Sequence, residues 1–500
     1  GREVEIMALR RAVDDLGRGV GGIVTLVGDA GIGKSRLITE LQAWAMSQRD
    51  GTAATMQWLH GRCLSYGGAN AYALWQDMLR NALGRTLEDA PDTVRAALQQ
   101  WVERLCPDCF DDVFPYVGQL MTLPLPLELK ASLNEMDGEE LKRRTFQAIE
   151  RVLARAARHG PLVLVCEDLH WADASSLELL QRLLALTDSK GLLIIGDLRP
   201  ETQHTAWRWR QHVADAYHHR HTDFWLQPLS AADSETLVNH LLDGGTSAAA
   251  AGWRQLPSRL IERILSQAEG NPFYVEEVLR SLMDSGALAQ DSAGHWTVTQ
   301  EVTRIEIPST LQGVLRARVD RLPGDTRRVL QLAAVIGRTF LYRVLAALAA
   351  DGQDLSEKLL TLQRQDLIRE ETDLPELSYC FKHALTREAT YNGILKKQRR
   401  MFHQQVAETL ERLFPDRTEE MLGLLAQHWE GAEGLDKAVM YLQRAGESAA
   451  ARFANDEAAA YFTRGLQLAP ADRTRTRFEL LGGREAIFDR QGQRQQQAQD

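Results

Sequence analysis

The segment Gly28–Ser35, with the sequence GDAGIGKS, constrains the fold of this chain more than any other stretch. It fits the pattern G-x-x-x-x-G-K-[S/T], follows an apolar run at Ile23–Val27 and precedes a predicted helix at Arg36–Ala45. A phosphate-binding loop requires this order of strand, loop and helix, because the backbone N–H groups must converge on phosphate oxygens at the helix N-terminus. A glycine-rich turn before an ordinary helix does not explain why the pattern and both flanks agree. The sequence therefore predicts a nucleoside triphosphate site.

The residue types in this loop match the parts of a bound nucleotide. Its three glycines permit tight backbone turns. Lys34 is predicted to neutralise the β- and γ-phosphates, and the Ser35 hydroxyl is predicted to hold Mg²⁺. Nucleotide contacts are expected from the whole loop and the residue after it, namely Gly28, Asp29, Ala30, Gly31, Ile32, Gly33, Lys34, Ser35 and Arg36.

A second, acidic part of such a site follows a buried strand at Leu162–Cys166. Glu167 is predicted to hold the Mg²⁺ shell and Asp168 to polarise the attacking water, although these two roles could be exchanged. Arg199 follows the next predicted strand, at Leu192–Ile195. An arginine at a strand end beside a phosphate loop can sense the γ-phosphate, or it can form an ordinary surface salt bridge. The predicted catalytic residues are thus Lys34, Glu167, Asp168 and Arg199.

Composition narrows the class of protein. A chain of 500 residues is too long for one core, and its net charge of −10 provides no basic field for nucleic acid or anionic lipid. No apolar run is long enough to span a bilayer, and five scattered cysteines suit a reducing cytoplasm. The chain begins at Gly1 without a methionine, so we expect it to be a piece of a longer polypeptide.

Four further strands are predicted after the phosphate-loop strand, at Thr55–His60, Leu162–Cys166, Leu192–Ile195 and Phe224–Leu226. Helical patterns separate them, which favours a parallel sheet with helices on both faces, as in an α/β P-loop NTPase. A long helical insert is predicted from Tyr72 to Gly160. We divide the chain into a nucleotide-binding domain (1–228), a helical lid (229–304), a winged-helix domain (305–396) and tetratricopeptide-like helical repeats (397–500).

Strands are predicted to stop after Pro228, where Ser230–Leu242 and Ser258–Ala268 form helices. The exception is a short hairpin around Leu367–Phe381, which together with neighbouring helices suggests a winged helix. From Met401 onward every segment is predicted to be helical. Four residues match the second half of the tetratricopeptide pattern, and a small residue stands where its first helix requires one: Ala458, Phe462, Gly465, Pro470 and Gly446.

In their order along the chain, these motifs resemble the STAND class (signal-transduction ATPases with numerous domains) of the AAA+ ATPases. The closest likeness is to bacterial regulators of cyclase-type or LuxR-type architecture. The resemblance extends nearly from end to end, and its motifs are GRE at the start, GDAGIGKSRL, GRCLSYGGANAY, GEELKRRTFQAIERVL, LVLVCEDLHWAD, DLRPE, EGNPFYVEE and FKHALTREATY.

The resemblance implies residue roles that composition does not reveal. Arg2 would cradle the adenine, with Pro272 on its other side, and Arg199 would take the strand-end sensor position. His383 resembles the histidine by which the winged helix reaches the ADP β-phosphate and locks a closed state; a buried structural role at a helix start is the alternative. Glu167 stands where the family more commonly has aspartate, which leaves the hydrolysis rate open.

The leading hypothesis is a cytoplasmic switch controlled by ATP and ADP with Mg²⁺. A protein or small-molecule inducer would bind the helical repeats, ATP binding would promote self-association, and the output would be a class III nucleotide cyclase or a transcriptional regulator outside this chain.

One alternative is a DNA-binding initiator-type AAA+ ATPase. Its recognition helix would be Asp354–Asp366, whose three acidic and two basic residues would repel DNA, so direct nucleic-acid binding is not expected. The other alternative is a tetratricopeptide scaffold with a structural nucleotide. No membrane association is expected.

Overall fold

The structure is a computed structural model that describes residues 1–47, 56–63, 71–86, 89–242, 256–291, 296–299, 307–349, 354–372 and 377–492. The chain divides into two compact units. The loop-and-lid unit comprises Gly1–Val4, Gly28–Ile38 and Trp225–Arg399. The sheet unit comprises Glu5–Val27, Thr39–Phe224 and Arg400–Asp500.

A five-stranded sheet forms the core of the sheet unit. Its strands are β1 (Gly22–Val27), β2 (Gln57–Arg62), β3 (Leu162–Glu167), β4 (Leu192–Leu198) and β5 (His221–Trp225), in the order β2-β3-β4-β1-β5. The pairs β1–β4, β2–β3 and β3–β4 are parallel. Every residue of β4 is buried, as expected of a parallel strand that is covered on both faces. The predicted parallel sheet is therefore confirmed.

Each predicted strand differs from the observed one at one or both ends, by one to three residues. β5 begins at His221 and not at Phe224. The prediction misses its start because this edge strand is only partly buried and begins with polar residues, which an apolar pattern does not detect. β2 begins at Gln57, and the predicted start of this strand, Thr55, lies outside the described residues.

Ten helices lie before residue 220, as far as the structure describes this part of the chain. Their bounds are α1 (Glu3–Gly17), α2 (Lys34–Ser47), α3 (Ala73–Ala82), α4 (Pro91–Leu105), α5 (Phe114–Leu120), α6 (Leu127–Asn134), α7 (Gly138–His159), α8 (Ala174–Leu183), α9 (Leu186–Ser189) and α10 (Thr205–Ala216). A 3₁₀ turn covers Leu169–Trp171. Helices α3–α7 correspond to the predicted insert; α7 buries one face, which includes Leu141, Ile149 and Val152.

The loop-and-lid unit continues with α11 (Ala231–Leu242), α12 (Ser258–Ala268), α13 (Pro272–Asp284), β6 (Leu288–Gln290), β7 (Trp296–Val298), α14 (Leu311–Arg321), α15 (Gly324–Ile336), β8 (Thr339–Leu341), α16 (Tyr342–Leu348), α17 (Leu355–Arg364), β9 (Ile368–Thr372), β10 (Ser378–Phe381) and α18 (Ala384–Gly393). Strands β9 and β10 pair antiparallel where the hairpin is predicted, and β8 joins them as a third strand.

The expectation that strands otherwise stop after Pro228 is wrong. β6 and β7 form an antiparallel hairpin, and β8 is a further strand. Each of these strands has three residues, which is too short for an alternating pattern to stand out in the sequence. The hairpin is held by packing: Trp296 and Val298 contact the buried core formed mainly by α11–α13.

The last segment is a C-terminal helical array made of α19 (Lys396–Leu413), α20 (Leu422–Gly431), α21 (Leu435–Ala451), α22 (Asn455–Leu468) and α23 (Thr474–Arg490). Its helices approach closely through small residues. A Cβ atom added at Gly446 or at Gly483 would lie 2.7 Å from the Phe462 ring, so a larger side chain at either position would displace that ring. Gly446 and Phe462, two of the residues that match the tetratricopeptide pattern, thus lie against each other, and the assignment of these helices to that repeat stays a prediction.

Among the described residues, no helix is both long enough and apolar enough to cross a membrane.

Candidate nucleotide-binding site

The phosphate loop has the backbone that its glycines predict. Gly31 and Gly33 have φ values of +80° and +108°, which residues with a side chain rarely adopt. Helix α2 begins at Lys34, whose side chain is buried against the loop: its Nζ donates to Gly28 O at 2.7 Å and to Asp29 O at 3.1 Å. Ser35 is exposed in the first helical turn. The loop therefore holds a cation beside a helix N-terminus, where anions are favoured.

Asn271 attaches the phosphate loop to α13, one of the helices α11–α13 that, with the hairpin β6–β7, we call the lid. Its Oδ1 accepts hydrogen bonds from the Phe273 and Tyr274 N–H groups at 3.0 and 3.3 Å, which caps α13. Its Nδ2 donates to Ala30 O at 3.1 Å. A Cβ added at Gly31 would lie 2.9 Å from the Phe273 Cβ, so this glycine also allows the lid to approach the loop. Pro272 is predicted as a contact from the sequence but its neighbours Asn271 and Phe273 are not, although Asn before Pro is a recognisable capping signal.

Arg2 lies at the phosphate loop, and its predicted contact with adenine stays a prediction. Its guanidinium donates to Ile32 O at 3.3 Å and to Gln227 O at 2.5 Å. These bonds connect the start of the chain to the loop and to the segment that enters the lid.

The ring of His383 packs on Phe273, the lid residue that approaches the phosphate loop. Its ring centroid lies 4.0 Å from that of Phe273, and Nε2 is buried without a hydrogen-bond partner among the described residues. Burial, with the nearby cations of Lys382 and Arg280, lowers the pKa of His383 to about 3. The imidazole is therefore neutral at physiological pH and can still donate one hydrogen bond.

In the sheet unit, the two predicted carboxylates lie at the end of β3 in different environments. A Glu167 oxygen lies 3.4 Å from an Arg62 nitrogen, and the side chain is largely shielded from solvent. Asp168 has a φ of +58°, and its N–H donates to Asp197 Oδ1 at 2.6 Å. Asp197 is only 1% exposed and is the last residue but one of β4, whose other residues are apolar. It fixes the turn that carries Asp168, and a carboxylate directly after the apolar run Leu192–Ile195 and Gly196 is a sequence signal that could have identified it.

Arg199 follows β4 and packs against the 3₁₀ turn. Its guanidinium carbon lies 5.1 Å from the Trp171 ring centroid, and a nitrogen lies 4.0 Å from Glu201. Stacking on Trp171 positions the guanidinium beyond the carboxyl end of the strand. Its role as a γ-phosphate sensor stays a prediction.

Residues 1–195, which carry the phosphate loop and the acidic strand end, match the family model of the AAA ATPase domain. This chain contains an AAA ATPase domain. The match confirms the predicted class of nucleotide-binding domain, and it is consistent with the resemblance to STAND-class ATPases.

Comparisons with longer coverage are more distant. An uncharacterized protein of Rhizobium meliloti (strain 1021) is 24% identical over 474 residues, which are 93% of this chain and 42% of the relative. The chain thus spans less than half the length of that curated relative. A STAND protein with a tetratricopeptide repeat sensor from Pyrococcus horikoshii is 12% identical, with a TM-score of 0.43 over 97% of this chain and 67% of that chain. The Aeropyrum pernix ORC2 protein in ADPNP-ADP complexes is also 12% identical, with a TM-score of 0.36 over 78% and 93% of the two chains.

The AAA domain is joined to the C-terminal helical array at the N-terminus of α8. Asp173 caps this helix by accepting from the Ser176 N–H at 2.8 Å and from its hydroxyl at 2.6 Å. Glu457, on α22, accepts from the Ser175 N–H at 2.9 Å and from its hydroxyl at 2.7 Å. Both carboxylates are 3% exposed. We call this pair of carboxylates, Asp173 and Glu457, the α8 clamp. Burial and the charge of Glu457 raise the pKa of Asp173 to about 7.

A second buried joint links α3 of the AAA domain to the array. Arg80 lies 3.1 Å from Glu420, which also pairs with Arg417 at 2.8 Å, and all three side chains are less than 9% exposed. Neither contact could be predicted from the sequence, because Arg80 and Glu420 are 340 positions apart, and the residues bonded in the α8 clamp are 282 positions apart.

The Asn271 junction predicts a selective effect on nucleotide affinity. Asn271→Asp keeps an oxygen for the cap of α13 but removes the N–H group that bonds to Ala30 O. We expect the Kd for ATP to rise about tenfold while the thermal unfolding temperature changes little, because a backbone carbonyl of the loop loses its donor. Asn271→Ala removes the cap as well and is expected to lower stability by about 1 kcal/mol.

Isothermal titration calorimetry and thermal unfolding measure these two effects. Asn392→Asp, an exposed position on α18, serves as the control for the added charge. An unchanged Kd in Asn271→Asp would show that the contact with Ala30 has no influence on the loop.

Proposed function

We propose that this chain is an ATP-binding signal-transduction switch of the STAND class. It binds and slowly hydrolyses ATP, and it couples an inducer or partner to an output domain outside this chain, a class III nucleotide cyclase or a transcriptional regulator. The observation that carries the proposal is the α8 clamp. Helix α8 follows the acidic end of β3 within a few residues, and its N-terminus is bonded to Glu457 of the C-terminal array. A change in the array therefore has a direct route to the AAA domain.

The phosphate loop supports the nucleotide part of the proposal. Lys34 supplies a positive charge for the β- and γ-phosphates, and the loop N–H groups supply hydrogen bonds. The hydroxyl of Ser35 and the carboxylates of Glu167 and Asp168 are the hard oxygen donors that Mg²⁺ prefers. The described residues contain no group of three or more His, Cys, Asp or Glu that could hold a metal ion. Bound Mg²⁺ would neutralise charge on the phosphates.

Further roles follow from the residue positions. Asp168, held by Asp197, would polarise the attacking water, and Arg199 would sense the γ-phosphate. Arg2 and Pro272 would enclose the adenine. These assignments rest on the motifs.

His383 would report the presence of ADP. Its neutral ring packs on Phe273, which itself approaches Gly31 of the phosphate loop. A β-phosphate would satisfy the buried Nε2 and draw the loop, the lid and the segment 305–396 together. Exchange for ATP would then favour a second arrangement, because the γ-phosphate has different partners, and self-association would follow.

Releasing the α8 clamp tests the proposed coupling. Glu457→Ala removes the acceptor for both Ser175 donors, whereas Glu457→Gln keeps a similar shape and an acceptor oxygen. We expect the alanine variant to release ADP about tenfold faster than the wild type and the glutamine variant to stay within about twofold, because only the former leaves a buried N–H without a partner.

Stopped-flow displacement of a fluorescent ADP analogue measures the release rate, and circular dichroism checks that each variant is folded. Glu408→Gln, at an exposed position of α19, is the surface control. Equal release rates in all four proteins would contradict the coupling and favour a scaffold in which the nucleotide is only structural.

A further inference from the structure

A cavity of about 440 Å³ lies within the sheet unit, between the insert of the AAA domain and the C-terminal array. The insert contributes Leu133, Met136 and Leu141, and the array contributes Phe453, Phe462 and Ile487. Its volume falls in the range of small-molecule sites, and its lining is mostly apolar, as such sites usually are. The two halves of this lining come from elements that the proposed switch must couple.

Phe453 is an unusual residue at this cavity. It has a φ of +57°, a conformation that is strained for an aromatic residue, and a Cβ atom added at Gly138 would overlap its ring. The ring is thus pressed directly against the first residue of α7. Backbone strain of this kind is concentrated at sites of ligand binding and switching.

A charged group is positioned at the same place. The guanidinium carbon of Arg490 lies 5.5 Å from the Phe453 ring centroid, and a guanidinium N–H donates to Ala450 O at 3.4 Å. The other charged lining residue, Glu447, accepts a hydrogen bond from Gln443 at 3.1 Å. Stacking and the backbone bond orient the planar guanidinium of Arg490, which is the side chain best suited to bind a carboxylate.

We propose that this cavity binds a small-molecule carboxylic acid with an aliphatic or aromatic body. The apolar body fills the space between the insert and the array, and the carboxylate pairs with Arg490. The idea that this ligand acts as the inducer rests on the proposed function. Because both walls contact the ligand, binding stabilises their association, and its effect reaches the AAA domain through the same interface as the α8 clamp.

Titration calorimetry of the full chain with octanoate tests the binding, and 1-octanol and octylamine are the matched probes without the anion. We expect octanoate to bind about tenfold more tightly than either probe and Arg490→Gln to remove this preference, because a charge-assisted hydrogen bond is lost. Arg475→Gln, on the exposed face of α23, is the control and should bind as the wild type does. Equal affinities for the three probes, or an unaltered preference in Arg490→Gln, would overturn the proposal.

Filling the cavity gives a second test that does not depend on the charge. Ala486 lines the cavity and is exposed, so Ala486→Trp can occupy the space without disturbing a buried core. This variant should lose octanoate binding, whereas Ala460→Trp, an exposed position of α22 outside the cavity, should keep it. Octanoate binding that survives in Ala486→Trp would place the ligand elsewhere and overturn the proposal.

The role as inducer is measured separately, through ADP release with and without saturating octanoate. A change in the release rate supports both the site and the switch. Binding at the cavity with an unchanged release rate would overturn the inducer role and leave the site in place. Conversely, Glu457→Ala could release ADP faster while the wild type does not bind octanoate. That result would overturn the proposed carboxylic-acid site and leave the proposed switch in place.

Discussion

Lys34→Ala is expected to reduce ATP turnover by more than about 100-fold, because it removes the buried cation beside the phosphate positions. For the wild type we expect a rate on the order of 10⁻³ s⁻¹ with Mg²⁺, as in an unassisted nucleotide switch. Steady-state phosphate release from the purified chain measures both rates. The same substitution should also weaken ATP binding, since the loop loses its countercharge.

Two comparisons make this result interpretable. Lys397→Ala removes an exposed lysine at the start of α19 and should hydrolyse ATP as the wild type does. The Lys34 amine also donates to two loop carbonyls, so the substitution could disturb folding. Circular dichroism of Lys34→Ala shows whether the variant is folded. A wild-type rate of ~1 s⁻¹ or more would contradict the timed switch and indicate an ordinary working ATPase. Turnover that persists in Lys34→Ala would contradict the assignment of the site.

Arg318→Met is expected to destabilise the loop-and-lid unit by about 3–5 kcal/mol, because it leaves a buried carboxylate without its countercharge. The Arg318 guanidinium lies 2.6 Å from Glu277 and 3.1 Å from Asp284, and it donates to Gln365 O at 2.5 Å. The side chains of Arg318 and Glu277 are each 2% exposed. This one side chain joins α13, α14 and the residue after α17, so its loss should separate the lid from the segment that carries His383.

Urea denaturation followed by tryptophan fluorescence measures this effect, and Trp296 on β7 is a probe within the lid. The double variant Glu277→Leu/Arg318→Met removes both charges and should recover most of the lost stability, since an apolar pair needs no countercharge. Arg316→Ala, an exposed arginine on the same helix, is the control and should change the midpoint little. A cost below about 1 kcal/mol for Arg318→Met would show that water reaches Glu277 and that the pair is not a buried joint.

The parts of the fold that could be predicted are those with short-range signals. The loop Gly28–Ser35 has a fixed spacing, and strands β3 and β4 are continuous apolar runs, which identify buried parallel strands directly. The helix predicted at Ser258–Ala268 has the same bounds as α12, because its apolar residues repeat on one face.

The contacts that join these parts could not be predicted in the same way. The bond from Asn271 to Ala30 and the α8 clamp each connect residues more than 200 positions apart, and their side chains are ordinary polar types. Nothing local distinguishes Glu457 from a solvated helix residue before the fold buries it. Sequence patterns thus identify the chemistry of the loop and the strand end, whereas the couplings between segments depend on tertiary packing.

The α8 clamp sets two acids side by side, which has a consequence for how firmly the array is attached. Because the pKa of Asp173 is raised above its ordinary value near 4, docking is accompanied by proton uptake. The corresponding stability is fully present below pH 4 and is lost as the pH rises through about 7. At neutral pH, loss of this proton weakens the attachment, because the charged Asp173 carboxylate is buried and lies near Glu457, while the Ser176 N–H and hydroxyl still donate to it. The strength with which the array is attached to the AAA domain therefore depends on pH as well as on packing.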